Sequence, residues 1–469
     1  MKKYLSVLLL LLLFGASNAY SEIISLNDYL RLVVKNNLAL KAINANINSL
    51  NGQLAALDAP YSAAFKADGT YAYDNSQSSM QLPIEIKAFS YDASVNKMFR
   101  TGTVFAVGFN NSFTSYGNTL ADRQVLSPYI QLQQSLIKNL GASATESNIE
   151  QARATIRQTL YQLDQSRRQL ITGAKLAYWN LSYAKTSLSY KRSSLERSSR
   201  IFEWTQNRYK LDLAEKADWL QSQASVKSGE LNVRNAIETE VENRMKFNQY
   251  IDADPNSQEY DVEDFETIGQ AYINDKKLVK TGTRLDVLAA SEAVKGASLN
   301  KEYSKLSSGA DLAVVAQGSL NGVDKSFSDA FGYVGRAERP AYSIGLQYSL
   351  PLDFSLREAK DKGYEAAVIS KQRSLEAAIL QETIDWQTSL LNWENASARL
   401  KLAIEVKNIL SQYNDENHIL LRRGRTTTNT AIQGEQSLDD AATAVCSTII
   451  ELITVYENAA AYYTTRIIN

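Results

Sequence analysis

The chain has 469 residues, with 50 basic and 51 acidic side chains, one His and one Cys. A formal net charge of −1 argues against nucleic acid as a ligand. A single Cys excludes an internal disulfide framework, and so little His and Cys leaves scant material for a metal or nucleophile site, so no enzyme, cofactor or metal centre is expected.

The N-terminus reads Met1-Lys2-Lys3, then an apolar run through Phe14, then Gly15-Ala16-Ser17-Asn18-Ala19. A positive start, a short apolar stretch and a small-x-small cleavage site make residues 1–19 a secretory signal peptide. The apolar run is about half of the ~20 residues that a spanning helix needs. No later run is longer, so an exported chain of this kind enters a membrane, if at all, as a closed β-barrel.

Residues 26–57 follow as an amphipathic helix. The pattern then changes to period two. Residues 65–73 and 130–136 alternate apolar with small or polar positions, Ile130, Leu132 and Leu136 sharing one face. Between them, residues 91–99 and 103–113 flank Arg100-Thr101-Gly102 as a candidate hairpin. It adds two strands to the wall or sits as an extracellular loop; the pattern allows both. After Gly141 a heptad repeat begins, with one seam through Ile149, Ile156, Leu163, Leu170, Ala177 and Ala184 and a second through Leu160, Ala174, Leu181, Leu188, Leu195 and Phe202, with Arg167 the exception. Two seams predict a coiled-coil-like helix to about Asn207, some 65 residues and ~100 Å long. A return helix over 215–251 follows.

Residues 252–283 carry Asp252, Asp254, Glu259, Asp261, Glu263, Asp264 and Glu266. Without the glycine spacing of a Ca²⁺ loop, this is expected to be a solvated linker. A helix over 284–306 leads into strands 311–320 and 342–350. In the second of these Tyr342, Ile344, Leu346, Tyr348 and Leu350 face one way, and in the first Leu312, Val314, Ala316, Gly318 and Leu320 do so. A second long helix covers 355–421 and a second return helix 430–467. His418 is expected to be an exposed helix residue. Tyr178, Trp179, Trp386 and Trp393 are expected to pack, as is Cys446 among Val445, Ile449 and Ile450.

The halves repeat. A shift of 212 aligns Asn180 with Asn392, Ala184 with Ala396, Leu188 with Leu400 and Gln221 with Gln433; a shift of 214 aligns residues 130–136 with 344–350. In each half the two shorter helices together match the long one, so they are expected to stack end to end beside it. The domain division is therefore 1–19 signal peptide, 20–251 first repeat, 252–283 equatorial linker and 284–469 second repeat. The fold class that this pattern gives is a mixed α and β membrane protein, with long coiled-coil-like helices and barrel strands. A half-buried sheet in a soluble coiled-coil scaffold shows the same alternation.

The order and duplication of several motifs resemble the TolC-like outer-membrane efflux protein family, the outer membrane factors. These are Leu30, Val33, Leu38 and Leu40 in the opening helix, Arg284-Leu285-Asp286-Val287 at the second-half start, and Gln347-Tyr348-Ser349-Leu350-Pro351-Leu352 at a strand-to-helix junction. Ala177-Tyr178-Trp179-Asn180-Leu181 and the turn Gly424-Arg425-Thr426-Thr427-Thr428-Asn429-Thr430 complete the set. The resemblance implies a homotrimer in the outer membrane of a Gram-negative bacterium, in contact with outer-membrane lipid, with at least four strands per protomer and a long periplasmic extension. It implies that the long helices form a periplasmic α-barrel and the strands a shared transmembrane β-barrel. It implies an exit duct of a tripartite efflux pump or type I secretion system, fed by an inner-membrane pump of RND or ABC type through a periplasmic adaptor. The gated, adaptor-docking mouth would lie at the helix reversals, with Arg208, Glu215, Asp218, Arg422, Gly424 and Arg425. There Asp218 is expected to pair with Arg425 or Arg422 in the closed state, against the alternative of a solvated tip. The acidic ring of some members falls on uncharged Thr430 and Gln433, which leaves Glu215 as the candidate replacement.

Overall fold

A computed structural model describes residues 22–74, 86–117 and 121–460. The expected signal peptide lies outside the described residues. The chain divides into two compact units, each built from separate stretches: residues 22–47, 161–287 and 379–460 in the first, and 48–160 and 288–378 in the second.

The long helices are α3 (Ser143–Lys210) and α8 (Phe354–Arg422), of 68 and 69 residues, and their return helices are α4 (Lys216–Tyr250) and α9 (Thr428–Ala459). Both long helices match the expected spans to within a few residues. The last part of the expected second return helix, residues 461–467, lies outside the described residues. In α3 the heptad seams are buried where the core is deepest: Ala174 and Leu181 are fully covered, and Ala177, Ala184 and Leu188 nearly so. Tyr178 and Trp179 join them, meeting Tyr29 and Phe247 in a cluster of rings. Each favourable ring pair adds ~0.5–1.5 kcal/mol to the area it buries. Cys446 is 1% exposed in the same core, as its neighbours suggested.

Two expectations need correction here. The first helix is not continuous: α1 (Leu26–Asn36) and α2 (Leu38–Ala55) are separated at Asn37. The Asn37 carboxamide oxygen accepts from Leu40 N at 2.8 Å, and its nitrogen donates to Tyr250 O at 2.9 Å. The Asp252 carboxylate accepts from Leu38 N at 2.5 Å. The start of α2 is thus spliced onto the end of α4, which is the end-to-end stacking that the lengths suggested. The break at Asn37 makes the splice possible, because it frees N–H groups that a continuous helix would have used.

The acidic stretch is likewise no solvated linker. Residues Tyr260–Val262 (β6) pair in parallel with Glu22–Ile24 (β1), and Phe265–Asn274 (α5) is a helix capped by Asp264. Its acids are partnered: Asp261 with Lys185, Glu266 with Lys407 and Tyr190, and Glu263 with the Tyr178 hydroxyl. The missing cations lie on α3 and α8, far away in sequence. That separation is why a local reading found none.

The second unit contains the sheet. Strands β2 (Ala64–Asp74), β3 (Ile86–Met98), β4 (Thr103–Ser115), β5 (Arg123–Ser135), β7 (Asp311–Leu320) and β9 (Pro340–Ser349) form an antiparallel meander in that order. Helix α6 (Leu285–Ser307) leads into β7. The short β8 (Gly322–Asp324) extends β7 along β5, and a nine-residue helix, α7 (Phe327–Gly335), unforeseen from the pattern, covers it. Strand β5 starts seven residues earlier than the alternation from Ile130 indicated. Pro128, which cannot donate to a ladder, hid its first half, yet Pro128 pairs with Phe109 in unbroken register.

The candidate hairpin consists of β3 and β4, both central strands, each paired on both sides. Its turn is not an outer loop. Gly102 has φ 77°, and a Cβ there would lie 2.0 Å from Asn139 O, just before the start of α3. Arg100 reaches Glu146 at 3.1 Å and Asp58 at 3.5 Å. The turn is wedged where the strands meet the helices, and the hairpin contributes two strands to the sheet.

Candidate functional site

Pairing register fixes which side chains share a face of the sheet. One face carries Phe65, Tyr71 and Tyr73 from β2, Phe89, Tyr91 and Val95 from β3, and Phe105, Val107 and Phe109 from β4. It continues through Leu126, Ile130 and Leu132 of β5, Leu312 and Val314 of β7, and Tyr342, Ile344, Leu346 and Tyr348 of β9. Large apolar groups stand open to the surroundings there: Tyr342 is 83% exposed, Ile344 82% and Leu346 74%. Leu136 and Leu350 continue the same phase one residue beyond the ends of β5 and β9. The sequence-predicted apolar set therefore falls on a single face, and four further strands share it.

The opposite face is small and polar, with Lys66, Asp68 and Thr70 on β2, Ser90, Asp92 and Ser94 on β3, and Gln317 and Ser343 on β7 and β9. On it Tyr129 lies across β4 and donates its hydroxyl to Asp92 on β3 at 3.2 Å. Gly108 permits that crossing, since a Cβ there would stand 2.8 Å from the Tyr129 ring. Apart from the patch around Leu126, which α7 covers, the apolar face is open, and an open apolar face opposite a polar one is the division expected of a wall between lipid and water.

The helical reversals form the other candidate site. In the first, Asp212 has φ 54° and Leu213 N donates to Arg208 O at 2.8 Å; in the second, Gly424 has φ 67° and Arg425 N donates to Leu420 O at 2.9 Å. Glu215 and Thr427 then cap the return helices. Each of these pairs is separated by the repeat shift of 212, so the duplicated backbone is legible down to single hydrogen bonds. Arg208 closes its own turn, donating to Leu213 O at 2.9 Å and lying 4.7 Å over the Trp204 ring. Tyr209 and Trp219 stack across the same reversal, a clasp that the alternating aromatics before and after it could have suggested.

The second tip presents Arg422, Arg423 and Arg425, all exposed. Thr430 serves the cap instead of bearing charge, bonding its hydroxyl to that of Thr427 at 2.9 Å. The tips touch through Gln221 and Asn429 at 2.6 Å. Among the described residues no ion pair of this chain joins Asp218 to Arg422 or Arg425, and Asp218 sits instead in the first turn of α4, where the helix dipole favours an acid.

Behind the tips lies a group that the sequence did not reveal. Glu435, 1% exposed, takes Arg197 from α3 and Asn414 and His418 from α8, the last at 2.6 Å. His418 is therefore not an exposed helix residue. Burial pushes the Glu435 carboxyl up, but hydrogen bonds from His418, Arg197 and Asn414 outweigh it and hold the group below the ordinary carboxylate range. Lys191–Asp439 and Lys175–Glu457 repeat the α3–α9 link further along. This ladder fastens the two helical hairpins of one chain to each other.

Among the described residues no helix is long and apolar enough to cross a membrane, and no group of His, Cys, Asp or Glu is placed to hold a metal ion. No protein-family model and no curated protein matches the chain. Solved structures do. The outer-membrane channel OprN aligns over 93% of this chain and 89% of its own, at 14% identity and TM-score 0.68. The outer membrane protein VceC from Vibrio cholerae aligns over 93% and 95%, at 13% identity and TM-score 0.67. The Campylobacter jejuni CmeC outer membrane channel aligns over 93% and 85%, at 12% identity and TM-score 0.66. Over nearly its whole length, this chain has the fold of the outer-membrane channels, in accord with its resemblance to the TolC-like outer membrane factors.

Proposed function

We propose that the chain is one of three identical copies of an outer-membrane exit duct, a passive conduit that leaves its cargo chemically unchanged. The observation that carries this reading is the sheet: one face apolar and, away from the patch around Leu126 under α7, uncovered, the other polar, with both edge strands open. Strands β2 and β9 are 11 and 10 residues long, and neither has a partner on its outer side among the described residues. A membrane wall cannot leave such edges unpaired. An even number of strands makes β2 and β9 run in opposite directions, so β9 of one copy continues antiparallel into β2 of the next.

In this reading the helices extend into the periplasm, and the reversals form a mouth that receives cargo from an inner-membrane pump of RND or ABC type through an adaptor, as in tripartite efflux or type I secretion. The α3–α9 ladder makes the hairpins of one copy a single body, so the mouth opens between copies. Asp218 of one copy would meet Arg422 or Arg425 of the next, and Glu215 supplies an acidic ring. Reconstitution in planar bilayers tests the duct: detergent-purified trimers should conduct, and a water-soluble monomer that makes no bilayer leak would end the proposal. An open probability unchanged in Asp218→Ala would remove the gate pairing alone.

A further inference from the structure

We propose that the β3–β4 hairpin is a built-in widening of the barrel, so that three copies close a wall of eighteen strands, six from each. The inference rests on the three-copy duct reading. A hairpin adds one outgoing and one returning strand, so β2 and β5 keep their directions and ring closure is undisturbed. Its faces are in phase with the rest: Val95 and Val107 pair on the apolar side, while Ser94 and Gly108 pair on the polar side. It is also fastened at two places. Gly102 is wedged against Asn139 at the helix end, and the Tyr129–Asp92 bond crosses Gly108 on the polar face.

Barrel width follows strand number. With strands ~4.8 Å apart and tilted by ~40°, eighteen strands enclose a backbone diameter of about 36 Å, against about 24 Å for the twelve that four per copy would give. The added lumen-facing residues are mostly small, among them Ser90, Ser94, Ala106, Gly108, Asn110 and Ser112, with Met98 and Val104 the larger exceptions near the hairpin turn, so they refill little of the space gained. A helix is ~10–12 Å across and helices pack ~8–10 Å apart. The wider wall therefore has room for cargo the size of a helical hairpin, which twelve strands would not pass once side chains line the lumen.

Electron cryo-microscopy of the full-length trimer in nanodiscs, beside a variant lacking residues 86–117, tests this. The full chain should show eighteen strands, and the variant a ring narrower by about one third. Independently, Asn96→Cys and Asn110→Cys should react with a membrane-impermeant maleimide at least tenfold faster than Val95→Cys and Val107→Cys, and this comparison decides the matter if the deletion variant does not fold. Equal labelling, or a conducting ring of twelve strands, overturns the widening alone. A chain that forms no ring overturns the duct reading itself.

Discussion

The two halves of the chain have kept their long helices and reversals alike and let their strands diverge. At the reversals Asp212 and Gly424 both adopt positive φ, and the bonds from Leu213 N to Arg208 O and from Asp212 N to Tyr209 O recur at a shift of 212 as Arg425 N to Leu420 O and Gly424 N to Leu421 O. In the sheet, the first half supplies the long strands β2, β3, β4 and β5, while the second supplies β7, β9 and the three-residue β8. The difference follows from how each element tolerates insertion. Adding residues to α3 would rotate every following side chain by 100° per residue and destroy its register with α9. Adding a whole hairpin to a meander changes no neighbour's direction or face.

The largest expected effect tests the conserved side of that comparison. Arg197→Leu would leave the Glu435 carboxylate buried without its guanidinium, which costs about 3–5 kcal/mol. Denaturant unfolding of the variant beside the parent would measure it. Because the folded carboxyl titrates below its unfolded value of ~4.3, the pair's contribution is present above that pH and is lost as pH falls through the folded value. The gap between parent and variant should therefore close on acidification below about pH 4. A gap independent of pH would show that the ladder is not what keeps the halves in register.

Gly102→Ala addresses the divergent side. A side chain at φ 77° and 2.0 Å from Asn139 O should cost about 3 kcal/mol, combining backbone strain with overpacking. A lower thermal midpoint in detergent would be the readout; an unchanged midpoint would mean that the hairpin turn is not wedged against the helix end. The smallest effects separate the two tips. Gly424→Asp should destabilise by about 1 kcal/mol and Asp212→Gly should stabilise by rather less, since glycine alone adopts positive φ without cost. Thermal unfolding of the two variants side by side would expose any asymmetry between the reversals.

The helices were legible because each signal is local and long. Heptad seams from Ile149 to Phe202 and the Gly424 turn placed α3, α8 and both reversals within a few residues. The apolar set of β9 was equally plain. What escaped depends on partners distant in sequence: Asn37 breaks its helix to serve Tyr250, the acids from Asp261 to Glu266 answer cations on α3 and α8, and Glu435 lies hidden opposite Arg197. The membership of β3 and β4 in the sheet was undecided for the same reason. A hairpin's own pattern does not say which strands lie beside it.

The bare margins of β2 and β9 have a consequence for the life of the chain before it reaches its destination. A newly made copy carries two sticky borders and a greasy flank, each ready to capture whatever strand it meets first. Its useful waiting time alone is short. Stability measured for one copy then has little meaning apart from copy number, and too few neighbours would be lost to clumping as readily as a damaging mutation. In the proposed duct, insertion and ring closure would accordingly be nearly one event, or some holding factor would shield those borders until the neighbouring copies arrive.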